Sequence, residues 1–298
     1  MRIPLVVSIL LLLGNIADSQ AGTLLPVGSG FNNPLGIALD GSGNLFVADQ
    51  GNNAVKEVVA AGGYATVNTL GSGFTGPTAV AVDASSNVFV IDAGNSTIKE
   101  IVAAGGYSTV NTLGSAFSHP IVGIAVDGAG NVLFTDTVGT LREYVAATNF
   151  TTLNPLASSV LFSGGGVGGF ALDHNGNAFL VGGKAVEEFF ASTAYSTSTS
   201  AGPVGLNLQN SAFIAPATDA AGNLFVGQYQ FSATGDYILQ LLPSNSFNYN
   251  LVYTATPPNV ASGIAVGGNG IFLSGVPANA VSELIPPTPV TLQEFGVD

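Results

Sequence analysis

A segment close to GFNNPLGIALDGSGNLFVADQGNNAVKEV, clearest from Gly30, recurs six times along the 298-residue chain, and no other property restricts its folding as much. Each copy is anchored by an aspartate that closes a short apolar run. These are Asp40, Asp83, Asp127, Asp173 and Asp219, with Gly267 in the sixth place, at intervals of 43, 44, 46, 46 and 48 residues. A second column, Glu57, Glu100, Glu143, Glu188, Gln240 and Glu283, lies seven residues before a third, Tyr64, Tyr107, Phe150, Tyr195, Phe247 and Val290. Three columns in one register, with short apolar runs and Gly-Asn turns, mark a radial array of blades rather than a helical solenoid.

Within the first copy, the run from Leu35 to Asp40, the turn GSGN and the run from Leu45 to Asp49 make a hairpin. Gly43, Gly130, Gly176 and Gly222 suit the left-handed residue of such a loop, and the aspartate caps the turn through nearby backbone. Ala54 to Ala60 is a third strand, Ala61, Gly62 and Gly63 turn the chain at Tyr64, and ATVNTL is a fourth. The expectation is an all-β, six-bladed β-propeller with four antiparallel strands per blade, the first strand of each blade lining a central channel. Those inner strands (LGIALD, TAVAVD, VGIAVD, GGFALD, IAPATD, SGIAVG) are small and apolar and give the channel wall little chemistry. Two segments compete for the fourth strand of the last blade: TLLPVGSGF from Thr23 and VTLQEF from Val290. The N-terminal one is favoured, because joining both chain ends in one blade locks the ring without a covalent bond.

Residues 1–21 read as a secretory signal peptide: Arg2 precedes an apolar stretch from Ile3 to Leu13, with Ser19 and Ala21 at cleavage spacing. That stretch is well short of the roughly 20 residues of a spanning helix, so no membrane insertion is expected after cleavage. Residues 22–298 are then a single propeller domain, secreted, periplasmic or at the cell surface. With no cysteine, the ring must close without disulfides. The formal net charge of −13 leaves no basic cluster for phosphate, which argues against nucleic acid, and it argues equally against anionic membrane surfaces. A soluble monomer is the expected state.

Phe31, Pro34, Gly36, Ile37, Ala38, Leu39, Asp40, Gly43, Asn44, Val47, Ala48, Asp49, Asn52 and Val55 resemble the NHL repeat, F-x-x-P-x-G-V-A-V-D-x-x-G-N-V-Y-V-A-D-x-x-N-x-R-V. The chain is similar to secreted NHL-repeat proteins of bacterial type. The first three copies match closely, while the later ones replace Asp49 by Gly182, Gln228 and Gly275. The resemblance implies the propeller fold; the family's roles range from RNA-binding and protein-interaction modules to lyases and lactonases of related shape. The arginine position of the pattern holds Ala54, Thr97 and Thr140, a departure from the basic-faced RNA binders. The amidating-lyase relatives hold zinc through several histidines, and this chain has two.

Those two, His119 in a loop before an inner strand and His174 in a hairpin turn, fall at opposite ends of a propeller, so no shared metal or acid/base pair is expected. A ring of aspartates could hold calcium at a channel mouth, but each has a turn to cap, so no metal or other cofactor is assigned. The Glu column is six-fold repeated, whereas catalytic carboxylates need differing environments, so these residues are expected as exposed cross-strand or inter-blade pairs beside Lys56, Lys99 or Arg142. SGGGVGG from Ser163 precedes a strand, not a helix, which removes the basis for phosphate binding. No nucleophile elbow appears, and no catalytic residue is assigned. The departure that adds surface is QYQFSATGDY, read as a lengthened loop of the fifth copy. There Tyr229, Phe231, Asp236 and Tyr237, with His119, are the candidate binding residues. The function expected is a non-catalytic module binding a protein or carbohydrate ligand, with a divalent-cation-dependent lyase or lactonase at the channel mouth as the alternative.

Overall fold

Short apolar runs separated by turns fold here into antiparallel meanders, repeated around an axis. The computed structural model describes residues 23–115, 117–157, 167–182, 185–201, 211–230, 236–242, 248–255, 261–268, 270–275 and 279–285. Residues 1–21, assigned to a signal peptide, lie outside them, as does the segment from Val290.

After β1 (Thr23–Pro26), sheet one comprises β2 (Pro34–Leu39), β3 (Leu45–Asp49), β4 (Ala54–Val59) and β5 (Thr66–Leu70). Sheet two comprises β6 (Pro77–Val82), β7 (Val88–Asp92), β8 (Thr97–Val102) and β9 (Thr109–Ser115). Sheet three comprises β10 (Ile121–Val126), β11 (Val132–Asp136), β12 (Leu141–Tyr144) and β13 (Leu153–Ala157). Sheet four comprises β14 (Val167–Leu172), β15 (Ala178–Gly182), β16 (Ala185–Phe189) and β17 (Ser198–Ala201). Sheet five comprises β18 (Ser211–Thr218), β19 (Leu224–Gln230), β20 (Asp236–Leu242) and β21 (Asn248–Ala255). The last sheet holds β22 (Gly263–Gly267), β23 (Gly270–Ser274) and β24 (Val281–Ile285), and its fourth strand is β1, in the order β1-β24-β23-β22. The chain is thus an all-β propeller with four antiparallel strands per blade.

Closure falls to the N-terminal segment, as the lock argument expects: Thr23 pairs with Ile285 and Pro26 with Ser282. The first strands pack in a cycle, β2 on β6, then β10, β14, β18 and β22, which returns to β2. This approach is close enough that a Cβ on Gly36 would sit 2.6 Å from Ala79 Cα, so only glycine fits there. Hydroxyls bridge two of the seams: Thr218 Oγ1 donates to the Leu172 carbonyl at 2.5 Å, and Ser274 Oγ donates to the Leu35 carbonyl.

The core is distributed, one apolar layer per seam. Phe46, Ala48 and Val55 of sheet one pack with Val80, Val88 and Ile101 of sheet two. Ile37, Leu45 and Val58 pack likewise with Ala265, Phe272 and Val281 across the closing seam. The second strands contribute Phe46, Phe89, Phe134, Phe179 and Phe272, all fully buried. Against them come aromatic residues from the turn between the third and fourth strands of the following sheet. Tyr64 meets Phe272 at 5.2 Å between ring centroids, Tyr107 meets Phe46 at 6.2 Å and Phe150 meets Phe89 at 5.5 Å, each edge-to-face. These turn residues, with Tyr195, hold left-handed backbone at φ 59 to 61°. For a bulky side chain that conformation costs about 1–2 kcal/mol, so each persists because its ring is held in the seam.

Replacing Phe89 by Ala empties a fully enclosed position and removes the partner of Phe150; it should lower stability in urea unfolding by about 3–5 kcal/mol. A loss below about 1 kcal/mol would mean that the seam repacks freely and does not hold the sheets together.

Candidate functional site

The four-stranded meander puts the two kinds of connection at opposite ends of the ring. One end carries the hairpins between first and second strands and the turns between third and fourth; call it the turn end. The other, the loop end, carries the connections from second to third strand and from one sheet to the next.

At the turn end the recurring aspartates are fully engaged. Asp40 Oδ1 accepts from the Ser42 and Asn44 N–H groups at 2.9 and 2.8 Å, and Oδ2 accepts from Asn44 Nδ2 at 3.0 Å. Asn44 Oδ1 then accepts from the Ala60 N–H at 3.0 Å, tying the hairpin to the neighbouring turn. The same pattern recurs at Asp83 with Asn87, Asp127 with Asn131, Asp173 with Asn177, and Asp219 with Asn223. These carboxylates therefore stabilise turns, as the spacing predicts. Among the described residues, no group of three or more His, Asp or Glu side chains has the proximity to hold a metal ion. His174 belongs to this end, its ring facing the Gly222 turn of sheet five, and His119 belongs to the other.

The loop end contains a second set of aspartates, and these are buried. Asp49 is fully enclosed and accepts from the Asn32 N–H and Asn52 Nδ2, both at 2.7 Å, with Lys56 Nζ at 2.6 Å. Lys56 also donates to the Gly30 carbonyl at 2.5 Å and lies 5.2 Å above the Phe31 ring. Sheet two repeats this with Asp92, Thr75, Asn95, Lys99, Gly73 and Phe74. A buried carboxylate is tolerable only with such compensation, so the clamp fixes the connection entering each of these sheets. Sheet three departs from it. Asp136 turns to its own loop, accepting from the Val138 and Thr140 N–H groups at 3.1 and 3.0 Å and from Arg142 at 3.2 Å. His119 Nδ1 stands 3.9 Å from Asp136 Oδ2, and the histidine side chain is 47% exposed.

The glutamate column corrects the sequence reading. Lys56 and Lys99 go to Asp49 and Asp92, not to the glutamates, and Glu57 is buried rather than exposed. Its partner is Asn68, directly opposite on the fourth strand, whose Nδ2 donates at 3.0 Å; Asn111 and Asn154 do the same for Glu100 and Glu143. In sheet four the place opposite Glu188 is taken by Thr199. Burial pushes the Glu188 carboxyl above the usual range, with Asp173 adding to it. Nearby, burial pushes the Tyr195 hydroxyl up to about 12, reinforced by Asp127, Glu143 and Asp173. That hydroxyl donates to the Gly176 carbonyl at 2.9 Å.

The lengthened segment of sheet five is also not simply a loop. Tyr229 lies in β19, opposite Ala212; Tyr237 and Asp236 lie in β20, opposite Gln228 and Ala255 respectively. Phe231 lies outside the described residues. The Gln228–Tyr237 pair corresponds to the last pair before the loop in sheets one and two, Asp49–Ala54 and Asp92–Thr97. Eight residues lie between those partners instead of four, and β18 and β21 lengthen beside them to eight residues each. Sheet five therefore stands taller than its neighbours at the loop end, on the same end as His119.

Residues 31–57 match the NHL repeat. The fold is that of a β-propeller. No curated protein matches this chain in sequence. Among solved structures, a gluconolactonase from Xanthomonas campestris is 15% identical, with a TM-score of 0.67 over 89% of this chain and 90% of that one. A streptogramin B lyase is 12% identical, with a TM-score of 0.61 over 89% and 97%. The nidogen/laminin complex contributes a chain 16% identical, with a TM-score of 0.58 over 75% and 80%. At these identities the chain shares their fold, and function has to be argued from its own side chains.

In this propeller Glu188 supplies a pH test. Its raised folded-state pKa means that the folded chain holds the proton more tightly than the unfolded one. Its favourable contribution is complete below the unfolded carboxylate range and is lost as pH rises through the folded value. Glu188→Gln should therefore be more stable than wild type to urea at pH 7, with the advantage shrinking at acid pH. A variant less stable than wild type at pH 7 would contradict a burial-dominated site.

Proposed function

We propose that this chain is a secreted, six-bladed, non-catalytic NHL-type propeller that binds a protein segment or a glycan on its loop end. The observation that supports this reading is the taller fifth sheet, which lifts the backbone at Tyr229 and Asp236 beyond the level at which sheets one and two turn, with Tyr237 at that level. Aromatic positions raised on a rigid scaffold suit stacking on a sugar ring or anchoring a peptide. Two further features agree. The repeated aspartates spend their oxygens on their own turns, and the second ring, at Asp49 and Asp92, is enclosed by lysine and backbone donors. The leader-like segment at residues 1–21 and the absence of cysteine are consistent with export of a ring that closes through strand pairing.

The similar lyase and gluconolactonase structures favour one alternative, a divalent-cation-dependent lyase or lactonase acting at the channel mouth. Peptide and glycan arrays probed with wild type and with Tyr229→Ala plus Phe231→Ala separate the two. The binding reading expects saturable capture by wild type and at least roughly tenfold weaker capture by the double variant, the equivalent of about 1.4 kcal/mol. Equal capture by both proteins removes sheet five as the binding element. Cation-dependent turnover of a gluconolactone or of streptogramin B, abolished by chelator, would replace the binder by the enzyme.

A further inference from the structure

At two seams of the loop end, an asparagine held in left-handed backbone staples one sheet to the next. Asn279 (φ 62°) and Asn53 (φ 51°) each accept, through Oδ1, the N–H that immediately precedes the proline of the next connection. The donors are Asn33 and Gly76, both at 2.7 Å. At the seam between sheets two and three the left-handed position is Ser96 (φ 51°), and the residue before the proline is His119. Serine is too short to repeat the bridge, and among the described residues no such bond joins Ser96 to His119. The bond that ties each incoming connection to its own sheet shifts as well: where Gly51 and Gly94 donate to the Asn32 and Thr75 carbonyls, it is Thr137 that donates to the Pro120 carbonyl, at 3.0 Å.

A cavity of about 170 Å³ opens in this unstapled seam. Phe117, Pro120 and Ile121 give it an apolar wall, and Ser96, Ser118 and His119 give it a polar edge. Ser118 Oγ and His119 Nδ1 lie 3.3 Å apart and together retain both donor and acceptor capacity. The carboxylates beside it are already compensated, Asp136 by Arg142 and two backbone donors and Asp92, between Ile91 and Ala93, by Lys99, so the site offers no net charge to a ligand. A volume of this size is that of about five or six waters at roughly 30 Å³ each, enough for one ring and not for an extended chain.

We propose that the seam between sheets two and three binds a single uncharged sugar ring, its apolar face on Phe117 and Pro120 and its hydroxyls on Ser96, Ser118 and His119. The class of ligand rests on the binding-module reading; the site itself is separate from the sheet-five hairpin. The half-exposed His119 side chain leaves one side open, through which the remainder of a glycan can extend into solvent.

The test is a ¹⁵N-HSQC titration of the mature chain with free hexoses and their methyl glycosides, run on wild type, Ser96→Asn and His119→Ala. Wild type should show saturable shifts at the Ser96, Ser118 and His119 amides. Ser96→Asn would install the staple found at the two stapled seams, in a backbone conformation that asparagine favours, so it should fold at least as stably as wild type. It should also bind at least roughly tenfold more weakly. His119→Ala should weaken binding without lowering the unfolding midpoint. Glycosides that bind as well as free hexoses identify a chain-terminal residue as the source; free hexoses alone identify a monosaccharide. No saturable shift with any sugar, or full binding by a folded Ser96→Asn, overturns the proposal. Array capture that depends on Tyr229 and Phe231 but ignores Ser96→Asn would defeat this site and leave the sheet-five reading standing; the reverse pattern would do the opposite.

Discussion

The ring depends on an aromatic side chain presented from a strained turn of one sheet to the second-strand phenylalanine of the sheet before it. Tyr64, Tyr107 and Phe150 adopt backbone that bulky residues avoid, and they do so because the ring each one carries completes the apolar layer of a seam. Individual edge-to-face pairs contribute only about 0.5–1.5 kcal/mol beyond their buried area, but they recur at three successive seams, on top of the apolar layer that each seam packs. This is how a chain without cysteine or, among its described residues, any metal cluster holds a closed shape.

Polar groups then refine what the seams hold. The Asp-Asn turns fix the hairpins at one end, and the buried aspartate–lysine clamps fix the incoming connections at the other. Such clamps add little net stability, because desolvation offsets most of the attraction, but breaking one leaves an uncompensated buried charge. They act as geometry, holding the loop end in a defined shape. Where a clamp is altered, as at Asp136, or a staple is shortened, as at Ser96, the surface departs from its repeat and a cavity appears.

Much of this was legible in the sequence. The columns at Asp40, Glu57 and Tyr64 defined the sheets and their turns, and the similarity of TLLPVGSGF to TVNTLGSGF pointed to N-terminal closure. What the sequence misassigned depended on register between strands. Glu57 lies beside Lys56 in sequence, yet the pleat sends the two side chains to opposite faces, one to Asn68 and the other to Asp49. The fifth copy reads as a longer loop because glycine, serine and aspartate fill it; pairing with lengthened β18 and β21 places Tyr229, Gln230 and Asp236 of it in strands, while 231–235 lie outside the described residues. His119 stood out as a lone histidine, but the cavity beside it is also lined by Ser96, an unremarkable residue whose meaning comes from comparison with Asn53 and Asn279.

The central claim, that inter-sheet aromatic pairs close the ring, is tested most directly at the seam where the chain ends meet. A double-mutant cycle with Tyr64→Leu and Phe272→Leu, read by urea unfolding, should give a coupling of about 0.5–1.5 kcal/mol between the two positions. Additive effects, with a coupling indistinguishable from zero, would contradict it.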